Sequence, residues 1–220
     1  MRKATLRFGD INLRASHIHK FRGFVGNLFK DYDLIHNHDL NTGKLIYRYP
    51  LIQFKLIDNI PCIVAITGPA VAVFLEIFMT MENVVIDDVK IPIFEKDLKV
   101  DNVEFGFSND TLMYKFVSPW IGLNQKNYQR YRSSSLLVKN EILKKTLVGN
   151  MLSMAKHLDC WLDKRQRISV ELQVKEKNIT LKSKSMLGFT GIFKANFIIP
   201  DDFGIGKSVS RGFGAVRRSI

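Results

Sequence analysis

Residues 60–81 read IPCIVAITGPAVAVFLEIFMTM, the one membrane-like stretch of this 220-residue chain. A spanning helix needs about 20 such residues, but Pro61, Thr67, Gly68, Pro69 and Glu76 interrupt the run. The Gly68-Pro69 pair divides it. Before the pair, residues 62–67 are rich in β-branched side chains and read as a buried strand. After it, residues 70–82 read as a helix whose first turn tolerates the proline. A strand feeding a helix explains both the β-branched run and the break, so the membrane reading is set aside. With 46% hydrophobic and 25% charged residues, the chain is too apolar for disorder and long enough for one large or two small domains.

Other elements arrange themselves around that strand and helix. Residues 4–8 can form a strand. From about Ser16, a reasonable N-cap, Ile18, Phe21, Val25, Leu28 and Phe29 share one helical face. Residues 44–57 and 60–67 are strand-like on either side of Asp58-Asn59, a pair suited to a tight hairpin turn, and residues 84–94 are rich in Val and Ile. The order β-α-β-β-α-β is the ferredoxin-like unit. Residues 95–109 are polar and broken by charges, which predicts a linker between a domain at 1–100 and one at 101–220.

Beyond the linker, residues 111–117 read as a strand. A helix capped within 133–135 and running to about 162 places Leu136, Leu143, Leu147, Met151, Met154, Leu158 and Trp161 at helical spacing. Residues 168–175 and 179–184 alternate around Lys177-Asn178 as a second hairpin, and residues 189–199 form one more strand. The second half is thus a truncated copy, β-α-β-β-β, ending in a glycine-rich tail. The fold class expected is α+β, a tandem of ferredoxin-like domains.

Thirty-three Lys and Arg against 21 Asp and Glu give a net charge of +12, which points to a polyanionic partner, nucleic acid before an anionic membrane. The imbalance is local: residues 1–100 carry 13 basic and 11 acidic side chains, residues 101–220 carry 20 and 10. Cys62 and Cys160 form no CxxC, so neither a disulfide framework nor a thiolate zinc site is available. No apolar segment follows the basic residues of the N-terminus, so no secretory signal is expected and the chain reads as cytoplasmic.

The segment GIGKSVSRGFG at residues 204–214 carries four glycines, Gly204, Gly206, Gly212 and Gly214, with Lys207, Ser208 and Arg211 among them. Such a backbone can approach a phosphate closely and aim several N–H groups at it. A tight turn packing the last strand fits as well. It is not a P-loop: Asp201 stands where the first glycine of that motif belongs.

The stretch FGIGKSVSRGFGAV at the end of two ferredoxin-like halves resembles the glycine-rich signature of the RAMP superfamily of CRISPR-associated proteins. With YRYPLIQFK at residues 47–55 behind a histidine-rich loop, the chain resembles more closely the CRISPR repeat-processing endoribonucleases found with type I-B systems. The resemblance implies metal-independent cleavage of precursor RNA at each repeat, with no cofactor. It implies CRISPR repeat RNA as partner, admits other CRISPR-associated subunits, and involves no membrane; the protein would be a monomer or homodimer. A non-catalytic RNA-binding RAMP subunit of an interference complex is the rival reading.

RNA is cut without metal if a base removes the 2′-OH proton and an acid protonates the departing 5′-oxygen, tasks that imidazoles near pKa ~6.5 suit. The chain has five histidines, His17, His19, His36, His38 and His157. In an extended loop His36 and His38, at i and i+2, face one side, and both match the family's histidine-rich loop. Lys30 and Tyr47 flank the pair and would position the 2′-OH and stabilise phosphorane charge. An exposed, idle His-Asn-His is the bland alternative, and a metal site from His36, His38, Asp39 and Asp31 or Asp33 has suitable ligands but no fixed spacing. His17 is a reserve candidate; His157 reads as structural. The third signal is Lys126, Tyr128, Arg130, Tyr131 and Arg132, with Lys175, Lys177, Lys182 and Lys184 nearby in the second hairpin: tyrosines to stack on bases, cations to bind phosphate. Arg130 and Arg132 also fit a solvated helix start.

Overall fold

The computed structural model describes residues 1–29, 48–181 and 184–219. These fall into two compact units, Met1–Val103 with Val209–Gly212, and Glu104–Ser208 with Phe213–Ile220.

The first unit runs β1 (Arg2–Arg7), a 3-10 turn (Ala15–His17), α1 (Ile18–Leu28), β2 (Ile52–Ile57), β3 (Ile60–Ile66), α2 (Gly68–Thr80), β4 (Asn83–Ile86), β5 (Val89–Pro92) and β6 (Asp97–Asn102). Its four-stranded sheet has the antiparallel order β2-β3-β1-β6. The apolar stretch resolves as the sequence predicts, into β3 and α2, with Pro69 in the first turn of the helix. No helix among the described residues is long and apolar enough to cross a membrane. Asp58 and Asn59, both at positive φ, turn β2 into β3 in the expected hairpin. Phe21 and Val25 of α1 and Phe74 and Ile77 of α2 are buried with Leu6, Phe54 and Ile63 of the strands and with Phe8 just past β1. Phe21 meets Phe8 and Phe54 edge-on at centroid distances of 5.6 and 5.7 Å.

Three expectations for this half are corrected. Residues 84–94 are not one sheet strand: Asp87-Asp88, again at positive φ, folds them into the separate β4-β5 hairpin. The fourth strand of the sheet is β6, within the segment expected as a linker, and β7 already begins at Gly106. β6 is an edge strand with the sequence DLKVDN, and edges tolerate the charges that made it look like a loop. At the first helix the chain makes a 3-10 turn before α1 starts at Ile18, and Ser16 caps nothing.

The second unit runs β7 (Gly106–Phe116), α3 (Gln125–Arg132), α4 (Leu136–His157), β8 (Val170–Leu181), β9 (Lys184–Ile198) and β10 (Val216–Ser219). Its sheet order is β10-β7-β9-β8, all antiparallel. In both units the first sheet strand lies between the third and the fourth, and the second lies outside the third, so each has the ferredoxin-like topology. The second unit has its glycine-rich segment between β9 and β10, where the first has α2 between β3 and the later strands. Tyr114, Phe116, Trp120, Phe189 and Phe193 form the aromatic centre of its core; Phe116 stacks on Trp120 at 5.6 Å and Tyr114 on Phe193 at 5.2 Å. The Tyr114 hydroxyl donates to the Phe197 carbonyl and accepts from the Ile199 amide, both at 3.0 Å.

Here too the structure differs from the sequence reading. β8 runs unbroken through Lys177-Asn178, whose partners are Gly188 and Leu187, and the hairpin closes only after the pair Leu181 and Lys184. Helix α4 buries Ile142, Leu143, Leu147, Met151, Met154 and Ala155 but ends at His157; Leu136 at its start and Trp161 beyond its end are 82% and 72% exposed and leave the predicted stripe.

Candidate nucleic-acid interface

The glycine-rich segment is held by its own backbone. Gly204 bridges Ala215; the Ile205 amide donates to the Gly214 carbonyl and the Gly214 amide to the Pro119 carbonyl, each at 2.9 Å. The Lys207 amide donates to the Ile121 carbonyl at 2.8 Å. Gly214 has φ +65°, and a Cβ there would lie 2.0 Å from the Ile205 carbonyl oxygen. Gly206 has φ +93°, and its Cβ would lie 2.6 Å from the Trp120 indole nitrogen. Only glycine fits either position. Several amides expected to face a phosphate are therefore bound to protein carbonyls, and these two glycines answer to packing.

Within the segment, Val209–Gly212 belongs to the first unit. Arg211 pairs in parallel with Phe54 of β2, the Phe54 amide reaches the Ser210 carbonyl at 3.5 Å, and the buried Lys55 ammonium donates to the Val209 carbonyl at 3.1 Å. Gly212 packs on α1, where an added Cβ would lie 3.1 Å from Ile18. Ser208, half-buried at φ +56°, immediately precedes this part.

The second unit contains a groove of about 650 Å³ lined by Ile121, Leu123, Tyr128, Arg132, Lys184 and Lys207 among others, with no acidic side chain among its described lining residues. Helix α3 builds one wall. Asn124 caps it by accepting the Asn127 amide at 2.7 Å, and Tyr128 and Arg132, one turn apart, share a face. Desolvation pulls the Lys207 ammonium below its usual pKa. The structure thus brings together Arg132, Lys207 and Lys184. Arg130 is exposed on the same helix but does not line the groove.

The two tyrosines of the basic motif separate. Tyr128 is 41% exposed in the groove, whereas Tyr131 is buried, donates to Glu176 at 2.8 Å and meets Phe189 edge-on. Tyr131 is therefore a core residue and is not available for stacking on a base. Alternation of basic and aromatic residues could not distinguish them; the helical phase of α3 does.

His36, His38, Lys30 and Tyr47 lie outside the described residues. His17, the reserve candidate, is half-buried in the 3-10 turn, and His19 is exposed on α1. Both stand near Asp87, whose carboxyl is held low, first by its hydrogen bond from Lys20. The exposed His157 has its Nδ1 2.6 Å from the Ser153 carbonyl in the last turn of α4. Two residues escaped the sequence reading. Lys55 is fully buried within the strand IQFKLI, and a lone lysine at a core position of such a strand was the available signal. Arg22 sits on α1 among residues of ordinary helical character, and nothing in the sequence marks it.

Two ferredoxin-like units in one chain, the second carrying a glycine-rich segment in place of its second helix, define a RAMP-type protein. The chain belongs to the Cas6b family: residues 1–104 match the Cas6b N-terminal domain and residues 106–219 the Cas6b C-terminal domain. A crystal structure of a Cas6b is 33% identical to it with a TM-score of 0.93, covering 99% of both chains. A second, of a Cas6b described as a CRISPR RNA processing endoribonuclease, is 31% identical with a TM-score of 0.82 and covers 100% of both chains. An uncharacterized protein of Methanocaldococcus jannaschii is 43% identical over 120 residues, 54% of this chain and 81% of its own length.

Proposed function

We propose that the chain is a metal-independent endoribonuclease that cleaves CRISPR precursor RNA within its repeats to release guide RNAs. The observation that carries this reading is the full-length likeness, at 31% identity, to a Cas6b named for CRISPR RNA processing. In the reaction a general base takes the 2′-OH proton, the 2′-oxygen bonds to phosphorus as the P–O5′ bond breaks, and a general acid protonates the 5′-oxygen. The products are a 2′,3′-cyclic phosphate and a 5′-hydroxyl. His36 and His38 carry the two proton transfers, and Lys30 and Tyr47 position the 2′-OH and stabilise the phosphorane. Strand binding falls to Arg130, Arg132, Lys207, Ser208 and Arg211, with the backbone at Gly204, Gly206, Gly212 and Gly214 shaping the segment. The groove, where Tyr128 offers a ring face beside three cations and no described lining residue is acidic, supports binding of a single strand.

The test is incubation of the purified protein with repeat RNA in EDTA. Cleavage to a 2′,3′-cyclic phosphate, abolished by one 2′-deoxy substitution at the scissile nucleotide, is expected. His36→Ala and His38→Ala should each slow single-turnover cleavage by ~10²-fold or more with affinity retained. Cleavage of the deoxy substrate would refute the nucleophile, and binding without any cleavage would establish a non-catalytic RAMP subunit instead.

A further inference from the structure

Arg22 on α1 is half-buried, and its Nε is shut off from solvent without any hydrogen-bond partner. One helical turn before it, Ile18 packs against Gly212, so the face of α1 that carries Arg22 meets the glycine-rich segment next to Arg211. Neither arginine has a carboxylate partner among the described residues. Both burial and the charge of Arg211 hold the Arg22 guanidinium below its ordinary pKa, in that order. A buried donor left unsatisfied and two like charges brought together are each destabilising. A folded unit that keeps both has a place for an anion that comes from outside. The complementary anion is one whose oxygens accept from two guanidinium forks at once, and a phosphodiester does so with its two non-bridging oxygens.

We propose that Arg22 and Arg211 clamp a single backbone phosphate of bound RNA, Arg22 serving as a phosphate-binding residue. The inference rests on the reading that the chain binds repeat RNA, and it adds a second cation, from α1, to the one the glycine-rich segment supplies.

The affinity of repeat RNA is measured over a salt series for wild type, Arg22→Gln, Arg211→Gln and the double variant. Each single variant should bind about tenfold more weakly, as for a lost charged hydrogen bond, with the slope of log affinity against log salt nearly unchanged, because the remaining arginine still neutralises the shared phosphate. The double variant, which leaves that phosphate without a cation, should lower the slope by ~0.7. Unchanged binding by Arg22→Gln, or single variants that each lower the slope by ~0.7 and a double variant that lowers it by about twice ~0.7, as for separate phosphates, would overturn the clamp while leaving the endoribonuclease reading intact. A second arm uses no RNA: thermal midpoints in inorganic phosphate and in chloride at equal ionic strength. Phosphate should raise the wild-type midpoint and not that of Arg22→Gln, and in chloride the variant should melt no lower than wild type. Equal phosphate responses, or a variant destabilised in chloride, would show that Arg22 already has its partners in the protein and overturn the clamp. If wild type fails to bind repeat RNA, the functional reading falls, and this second arm alone decides whether the pair is an anion site.

Discussion

Gly214→Ala should strongly destabilise the second unit in the absence of any RNA. At φ +65° an L-residue costs ~1–2 kcal/mol in backbone energy. The added Cβ would stand 2.0 Å from the Ile205 carbonyl oxygen, far inside the ~3.5 Å at which non-bonded heavy atoms rest. That oxygen cannot retreat freely, because the Ile205 amide is bonded to the Gly214 carbonyl and the Gly214 amide to the Pro119 carbonyl, each at 2.9 Å. Forcing the segment apart adds a typical overpacking cost of ~1–3 kcal/mol, and losing one of the two bonds about 1 kcal/mol more. The total is about 3–6 kcal/mol, against a usual domain stability of about 5–15 kcal/mol. Both tryptophans, Trp120 in the core and Trp161 on the surface, lie in this unit, so their fluorescence during denaturant unfolding reports on it. Gly149→Ala is the control: it lies exposed in α4 with nothing within 4 Å of an added Cβ, and should stabilise by ~0.8–1 kcal/mol. A loss below ~1 kcal/mol for Gly214→Ala would refute the argument that packing demands this glycine.

Tyr114→Phe leaves the Ile199 amide and the Phe197 carbonyl without their shared partner in a fully buried place, and should cost ~1–3 kcal/mol by the same denaturation assay; a change within ~0.5 kcal/mol would refute it. Burial raises the pKa of both Tyr114 and Tyr131, aided at Tyr131 by Glu176. The folded state therefore favours the neutral phenols, and stability should be level below the unfolded value of ~10 and fall as pH rises above it; a midpoint unchanged from about pH 8 to about pH 11 would contradict this. In the groove, Arg132→Ala and Lys207→Ala should each reduce the salt slope of RNA affinity by ~0.7. Tyr128→Ala should weaken binding by ~1–3 kcal/mol per stacked base with the slope unchanged; equal slopes for all three variants and wild type would move the strand elsewhere.

Where hydrophobic period and turn chemistry agree, the fold was legible. Gly68-Pro69 divided strand from helix, and Asp58-Asn59 marked its hairpin, because each acts on its own few residues. Errors fell where composition stands in for environment. The strand DLKVDN reads as a linker because a sheet edge exposes most of its side chains. Lys177-Asn178 reads as a turn although β8 and β9 continue past it, since their outer halves are exposed and carry the polar residues a turn also prefers. Asp87-Asp88 was hidden by the valines and isoleucines around it, yet it has the same backbone as Asp58-Asn59.

The sequence displays the cations of the glycine-rich segment but not what its backbone does. Four glycines around Lys207 and Arg211 suggested amides pointing at phosphate, but close approach and positive φ are demanded just as strongly by a neighbouring indole or carbonyl, and glycine spacing cannot tell one from the other. At Gly206 the neighbour is Trp120, and at Gly214 it is Ile205. The amides of Ile205, Lys207 and Gly214 are already bonded to carbonyls, so these three offer nothing to a phosphate. Lys207 turns toward a groove it shares with Arg132 and Lys184, while Arg211 lies against β2 near Arg22. Glycine and cation substitutions in one segment should then separate cleanly: the first lowers stability with or without RNA, and the second lowers RNA affinity while the fold persists. A glycine variant that kept its fold and lost only RNA would restore the backbone-cradle reading.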